Sequence, residues 1–312
     1  MGGGGGGWSP SYSTSGIDNL LSRANQQTDT KAYTSEVNGF LQEILKEYNV
    51  RQREEIRKHL EVLQQSINKE IEGAIDLLFG GSVKKHTYLK GLSDVDSLVL
   101  INNTSLENRS PHEVLNYIAE KVKERLPNTQ VNPPGKLAVT VKYSDGIEIQ
   151  LLPALKTKSG FKIISTTHEN QWSNVIRPQA FASKLTEVNQ ACSGNVVPVI
   201  KLFKAIVAKK LPANLKVSGY HAESLAIEAF KDYNGSRTYK DMLAHFCRTA
   251  SEQVKTPIKD KTGQSLHVDD YLGSTNSRER KQVSSWLSRI DVRLRNADSL
   301  QSLKKWQELF ED

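Results

Sequence analysis

Two short segments of the chain contain the residue types that phosphoryl chemistry requires. Gly80, Gly81 and Ser82 form a glycine–serine turn, and Asp94 and Asp96 follow about a dozen residues later. The backbone amides of such a turn and its serine hydroxyl can donate hydrogen bonds to phosphate oxygens. The two aspartates are spaced i and i+2, so on a strand they lie on one face, where carboxylates repel each other unless a cation lies between them.

This arrangement is suited to the transfer of a nucleotidyl group. Asp94 and Asp96 can hold two Mg²⁺ or Mn²⁺ ions about 4 Å apart, one near the attacking hydroxyl and one near the leaving pyrophosphate. The turn at Gly81 and Ser82 is then expected to bind the β and γ phosphates of the nucleotide. The alternative interpretation is a capped turn that leads into an ordinary half-buried strand.

The residues on either side predict the elements that position these segments. Seven apolar residues from Ile56 to Leu78 are spaced by three or four and predict one face of a long helix, the spine helix. Phe79 and the glycines after it predict the end of that helix. Residues 94–101 then show the β-branched, apolar pattern that is typical of a strand.

Downstream patterns predict an α+β fold with two lobes. Residues 111–126 predict an amphipathic helix, and Asp145-Gly146 between two short apolar runs predicts a hairpin, because this dipeptide accepts the positive φ of a tight turn. The second run is expected to end at Pro153. Five helical patterns follow, over residues 178–192, 196–210, 220–233, 239–250 and 274–310. We expect a mixed sheet with the spine helix, a helical C-terminal lobe, and an active site in the cleft between them.

Length and composition agree with this organisation. The chain has 312 residues, of which 37% are hydrophobic and 25% charged, close to the average for globular proteins. We expect a flexible arm over residues 1–34, whose six glycines are interpreted as an added linker, a catalytic lobe over 35–160 and a helical lobe over 161–312. The sequence contains no apolar stretch of about 18 residues and no signal-peptide pattern, so we expect a cytoplasmic protein without a membrane span.

The cysteine, histidine and charge content indicates what kinds of ligand the protein can bind. Cys192 and Cys247 are too few for a disulfide framework and are expected to be buried, and the histidines lack the paired spacing of a zinc site. Any metal should therefore be held by carboxylates. The net charge of +7 indicates an anionic partner. Lysines border the aspartate motif and also lie within residues 201–210, on the opposing helical lobe, which favours a polyphosphate over a nucleic-acid surface as the partner.

The order Gly-Gly-Ser, eleven residues, Asp-Val-Asp resembles the motif of the polymerase-β-like nucleotidyltransferases. The later helical segments narrow the resemblance to the branch with cyclic GMP–AMP synthase, oligoadenylate synthase and the bacterial CD-NTases of CBASS anti-phage defence. It covers roughly residues 50–310. The resemblance implies the polymerase-β-like fold and a Mg²⁺-dependent synthase that joins NTPs, ATP among them, into a cyclic di- or trinucleotide or a short oligonucleotide. It also implies regulatory partner proteins from the defence system.

The third carboxylate of that branch is where this chain departs from the pattern. By the resemblance its position falls on Gln150, with Glu148 two residues earlier. A glutamine oxygen coordinates Mg²⁺ weakly and cannot accept a proton from an attacking hydroxyl. Three explanations stay open: Glu148 takes the role, residue 150 has been changed from Glu or Asp to trap substrates, or the enzyme is naturally weak.

The resemblance also assigns nucleotide contacts in the helical lobe. Lys201 and Lys204 are spaced i and i+3, so they share a helix face and are expected to bind the triphosphate. Ser218 is expected to contact phosphate, and Tyr220 is expected to stack on a base. Residues 267–270 lie where relatives show a loop near the acceptor nucleotide, and residues 306–310 resemble closing aromatic residues that pack structurally.

Two other functions stay open at this point. The same catalytic core serves enzymes that transfer a nucleotide to an RNA 3′ end or to a protein, although no nucleic-acid-binding module and no zinc-binding insertion is recognisable. A protein that has kept the fold and lost the third carboxylate is expected to bind nucleotides without turning them over. Gln150 motivates that hypothesis.

Overall fold

The structure, a computed structural model, describes residues 14–49, 52–68, 76–79, 95–132, 134–135, 137–165, 168–260 and 267–311. Gly81, Ser82 and Asp94 lie outside the described residues. The helices within these ranges are α1 (Thr14–Asn49), α2 (Gln52–Asn68), α3 (Pro111–Arg125), α4 (Pro178–Ala191), α5 (Val196–Lys210), α6 (Gly219–Phe230), α7 (Tyr239–Gln253), α8 (Arg278–Ser299) and α9 (Leu303–Gln307). The strands are β1 (Asp76–Phe79), β2 (Val95–Leu100), β3 (Gln130–Val131), β4 (Val139–Lys142), β5 (Glu148–Thr157) and β6 (Gly160–Ile163).

These strands form one mixed sheet in the order β1-β2-β5-β4-β3, and β6 also pairs with β5. The β2–β5 pair is parallel, whereas the other pairs are antiparallel. A parallel pair requires a long connection, and the chain between β2 and β5 contains α3. The predicted hairpin is confirmed, because β4 and β5 pair across Asp145-Gly146 and Gly146 has a φ of +83°.

One face of the sheet is covered by α2 and α3. Alternate residues of β2, β4 and β5 are buried there and join both helices in one hydrophobic cluster, which we call the sheet core. The apolar stripe predicted for the spine helix is confirmed along α2, since its four stripe residues are at most 5% exposed. Those residues are Ile56, Leu60, Leu63 and Ile67.

A second hydrophobic cluster, the helical core, is built from α4 to α9 and the C-terminal half of α1. Tyr33 of α1 donates a hydrogen bond to the Ala297 carbonyl at 3.0 Å, and the Trp306 indole donates to the Tyr33 hydroxyl at 2.9 Å. The predicted structural packing at the C-terminus is therefore confirmed, as is the burial of Cys192 and Cys247.

Helices α4 and α5 supply much of the apolar surface in the helical core. No single helix among the described residues has the length and apolar composition of a membrane span. The α4–α5 pair passes that test only when taken together, with a bend of 107° between the two helices. Its apolar side chains, including Phe181, Leu202 and Phe203, are buried within the helical core.

The prediction of a spine helix through Leu78 is wrong over residues 76–79, which form β1. Asp76 pairs with Leu100 and Phe79 with Ser97, so these residues form an antiparallel ladder with β2. An apolar run of this length fits either a helix face or a buried strand, and here the pairing with β2 decides. Residues 14–34, predicted as part of a flexible arm, are instead the first part of the helix α1.

The predicted strand end at Pro153 is also wrong, because β5 continues to Thr157. Pro153 pairs with Val99 of β2 on one side. On the other side, β4 pairs with β5 up to Leu151, and β6 pairs with it from Ala154. Proline is tolerated in a strand where a ladder hydrogen bond is not required, and this change of partner provides such a place.

Candidate active site

The sheet brings two of the predicted site residues together on neighbouring strands. Asp96 of β2 and Gln150 of β5 are direct partners in the parallel pair, and Thr140 of β4 lies on the other side of Gln150. Partners in adjacent strands lie about 4.8 Å apart and point to the same face. All three residues are partly exposed, while their neighbours along each strand are buried in the sheet core. They therefore occupy the sheet face opposite α2 and α3.

Glu148, the other predicted acid, lies on this same face but has a different partner. It pairs in register with Lys142 of β4, and its carboxylate forms an ion pair with the Lys142 ammonium at 2.5 Å. Both side chains are more than a third exposed, so this ion pair contributes little to stability. The strand register thus places Gln150, not Glu148, beside Asp96.

The donor atoms near Asp96 determine which metal this face can bind. Asp96 and Gln150 provide a carboxylate and an amide oxygen, which are hard donors of the kind that Mg²⁺ prefers. Across the part of the chain that the structure describes, no group of three His, Cys, Asp or Glu side chains could hold a metal ion. The described donors fit Mg²⁺ in chemistry, and Asp94, the second predicted ligand, stays a prediction.

The helical part of the predicted site centres on a buried ion pair. The Lys204 ammonium of α5 lies 2.8 Å from a carboxylate oxygen of Glu223 in α6, and the two side chains are only 10% and 1% exposed. Lys201 lies one turn earlier on α5 and is partly exposed. A Cβ on Gly219 would lie 3.3 Å from the Lys204 nitrogen, so glycine at the start of α6 permits this close approach.

The start of α6 contains the other two predicted nucleotide contacts. Ser218 caps the helix, because its hydroxyl accepts a hydrogen bond from the His221 amide at 3.1 Å. The Tyr220 hydroxyl donates to a carboxylate oxygen of Asp260 at 2.8 Å, and its ring packs against Phe181 with centroids 4.6 Å apart. The structure therefore brings Ser218, Gly219 and Lys204 together, while Tyr220 packs against α4.

A buried polar cluster lies directly behind this helix start. The side chains of His221, Asp269 and Arg280 are fully buried, and the Arg280 guanidinium donates to an Asp269 carboxylate oxygen at 2.6 Å. The Tyr271 hydroxyl lies 2.9 Å from His221 Nδ1. Burial lowers the pKa of His221 to about 4, although the nearby Asp269 carboxylate opposes that shift. His221 is therefore neutral at pH 7.

Sequence reasoning gave no role to Glu223 or Tyr271. One signal for Glu223 was available, because this carboxylate stands between Ala222 and Leu225 on an apolar helix and a buried carboxylate requires a partner. No comparable signal exists for Tyr271, whose contacts join residues about 50 positions apart in the sequence.

The mixed sheet, its polar face at Asp96 and the adjoining helices define a nucleotidyltransferase fold. Many solved structures share this fold, among them the following two. Vibrio cholerae DncV, a cyclic AMP-GMP synthase in complex with the linear intermediate 5′ pppA(3′,5′)pG, matches with a TM-score of 0.64 and 10% identity, over 96% of this chain and 91% of that chain. Escherichia coli MS115-1 CdnC, in complex with HORMA-deltaN, matches with a TM-score of 0.61 and 16% identity, over 82% and 90%.

The sequence itself then identifies the family. Residues 32–189, half of the chain, match the model of the Second Messenger Oligonucleotide or Dinucleotide Synthetase domain. The chain belongs to this family, which confirms the predicted resemblance to bacterial CD-NTases. It is also 24% identical over 205 residues to the cyclic AMP-AMP-AMP synthase of Acinetobacter sp.. That match spans 63% of this chain and 57% of the relative, so it covers little more than half of the relative's length.

Proposed function

We propose that the protein is a metal-dependent nucleotidyltransferase that joins NTPs into a cyclic or short linear oligonucleotide signal. The observation that carries this proposal is the register of Asp96 beside Gln150 on the polar sheet face, within the residues that match the family. A carboxylate on that face is positioned to hold a cation against a polyphosphate. The cyclic AMP-GMP and cyclic AMP-AMP-AMP synthases among the relatives support the same class of product.

The metal ligands in this proposal are Asp94 and Asp96, with Mg²⁺ or Mn²⁺ as the ion and two ions as the expected number. When bound, the ions polarise the phosphoryl oxygen and lower the pKa of the attacking hydroxyl. Asp96 is fixed in the sheet, because it pairs with Gln150 of β5 and the next residue, Ser97, is paired on both sides by β1 and β5. A ligand held in this way keeps its position while the nucleotide binds and leaves.

The nucleotide contacts in this proposal are Lys201, Lys204, Ser218 and Tyr220, together with the turn at residues 81–82. Lys204 is held in position by Glu223, and a lysine has three donors, so this ion pair is compatible with a phosphate contact. The Ser218 hydroxyl lies at the amino end of α6, where the helix dipole favours an anion. Tyr220, which is partly exposed, would stack on a base through its ring.

Removal of the proton from the attacking hydroxyl is the weak step at this site. Gln150 cannot accept it, and the Glu148 carboxylate is directed to Lys142 on the neighbouring strand. We therefore propose that turnover is slow and that a carboxylate at position 150 raises it. The same observation favours the second candidate function, a nucleotide-binding family member without catalytic turnover.

The cellular role, regulation and substrates of the enzyme are part of the same proposal. We propose a cytoplasmic enzyme of anti-phage defence whose activity is controlled by partner proteins, as the complex of the relative CdnC with HORMA-deltaN suggests. NTPs, ATP among them, are the proposed substrates, since the DncV complex contains a linear intermediate of two nucleotides.

A product assay separates the candidate functions. The protein is incubated with each labelled NTP and with all four, with Mg²⁺ or Mn²⁺, and with or without RNA. A small product that resists phosphatase supports the cyclic signal, elongated RNA supports transfer to an RNA end, and bound but unchanged NTP supports the binding protein. The Asp94→Asn/Asp96→Asn double variant is the control, and equal product from it would exclude the proposed site.

A further inference from the structure

The amino end of α6 is tied to one further segment of the chain. Residues 254–260 and 267–273, which we call the clamp segment, precede α8. The Ser218 amide donates to the Tyr271 hydroxyl of this segment at 3.0 Å, and the Tyr220 hydroxyl donates to Asp260 at 2.8 Å. Both predicted nucleotide contacts of α6 are therefore bonded to the clamp segment.

The clamp segment is itself held by one buried side chain, Arg280. Its guanidinium donates to an Asp269 carboxylate oxygen at 2.6 Å and to the Asp269 carbonyl at 3.2 Å. It also donates to three further carbonyls, those of Val254, Thr256 and Gly273. The planar guanidinium presents five donors in a fixed geometry, so these bonds fix the segment from several directions at once. The clamp segment thus forms a rigid support.

Tyr271 transmits this rigidity to α6 through its hydroxyl. The oxygen accepts the Ser218 N–H, so its own hydrogen is directed to His221 Nδ1 at 2.9 Å. His221 is neutral because burial lowers its pKa, and Nδ1 can therefore accept. His221 Nε2 then carries the ring hydrogen and lies 3.4 Å from the Asp269 carboxylate, which Arg280 holds. That approach is not a hydrogen bond, so the bonded route from Arg280 to the first turn of α6 runs through the clamp segment and Tyr271.

The same turn positions the Lys204 ammonium. Gly219 lies between Ser218 and Tyr220, and a Cβ there would lie within 3.5 Å of two side-chain atoms of Lys204. Glu223, one turn further along α6, binds the ammonium directly. A displacement of the first turn of α6 would therefore move the serine, the tyrosine and the lysine contact together.

We propose that Tyr271 is a positioning residue for nucleotide binding, which fixes the first turn of α6 through its bonds to Ser218 and His221. The proposal rests on the function proposed above, because the ligand positioned is the NTP of that site. Tyr271 does not touch the nucleotide in this proposal. Its loss should weaken nucleotide binding and leave the chemical step unchanged, since the serine and lysine contacts exist both before and during the reaction.

The test is the Tyr271→Phe variant in the full chain. It removes the hydroxyl and keeps the ring, and the residue is 41% exposed, so the fold should tolerate the change. Dissociation constants are measured by calorimetry with the α,β-methylene analogues of ATP and GTP in Mg²⁺. The variant loses the hydroxyl's bonds to Ser218 and His221, and we expect about a fivefold weaker binding, with kcat at saturating NTP unchanged. Hydrogen exchange should also be faster in a peptide that covers residues 216–221.

The matched control is Tyr233→Phe. Tyr233 follows the other end of α6, where its hydroxyl donates to the Ser236 carbonyl at 2.6 Å. This variant should bind both analogues like the wild type. An affinity of Tyr271→Phe within twofold of the wild type, or an equal loss in Tyr233→Phe, would overturn the positioning role. If the wild type binds neither analogue, the proposed function itself fails, and the positioning role fails with it.

Discussion

The Glu223→Gln variant tests the physical basis of the helical part of the site. It removes the negative charge from a side chain that is only 1% exposed and lies 2.8 Å from the Lys204 ammonium. Glutamine keeps the size of glutamate, so packing in α6 changes little. The Lys204 side chain is itself 10% exposed, and the variant leaves its charge without the carboxylate that compensates it.

The expected cost follows from that burial. Breaking a buried ion pair by removing one partner typically costs about 3–5 kcal/mol, because the remaining charge stays desolvated. A Glu223→Gln/Lys204→Met double variant removes both charges, and buried pairs replaced by apolar groups of similar volume are often neutral in stability. We therefore expect the double variant to recover most of the loss, and its unfolding free energy to lie within about 1 kcal/mol of the wild type.

Urea unfolding monitored by tryptophan fluorescence is the assay. Of the chain's four tryptophans, Trp286 and Trp306 are buried in the helical core, so the fluorescence includes a signal from the part of the protein that contains the pair. The matched control is Glu228→Gln, a partly buried glutamate on the same helix. A loss below about 1 kcal/mol for Glu223→Gln, or a double variant less stable than either single variant, would refute the reasoning.

Three further predictions follow from the site and its supports. Gln150→Glu should raise the rate of pyrophosphate release by about 10²-fold, the lower end of the range for a general base, whereas Gln150→Asn should not. Folding stability should fall by about 3 kcal/mol as the pH drops from 6.5 to 4, because His221 binds a proton in the unfolded chain more readily than in the folded protein, where burial lowers its pKa. In urea titrations, the unfolding free energy of His221→Gln should depend less on pH than that of the wild type. Trp306→Phe should cost at least about 1 kcal/mol in the same assay, because the Tyr33 hydroxyl loses its indole donor and a smaller ring leaves a cavity in the core, and an unchanged midpoint would contradict this.

The sequence was most informative where structure depends on neighbouring residues. Asp145-Gly146 predicted its hairpin because the positive φ of a tight turn is a local property. The stripe in α2 was predictable because the helix buries one face along its length. Prediction failed where distant pairing decides, as at Asp76–Phe79, whose apolar residues suit a helix but pair with β2.

The same distinction applies to the site. The Asp96 motif was visible in the sequence, but its register with Gln150 depends on a parallel pair joined by a connection of nearly 50 residues. The ion pair between Lys204 and Glu223 depends on how α5 packs on α6, which the pattern of each helix alone does not specify. The support of α6 by Tyr271 is likewise a tertiary contact, so only the structure reveals it.

The most direct test of the proposed function is mass spectrometry of the products formed from the four NTPs with Mg²⁺ by the wild type and by Asp96→Asn. Asparagine keeps the shape of the side chain and removes the charge that the metal requires. The proposal predicts a cyclic or short linear oligonucleotide from the wild type and its loss in Asp96→Asn. An identical product yield from both proteins would contradict a catalytic site on this face of the sheet.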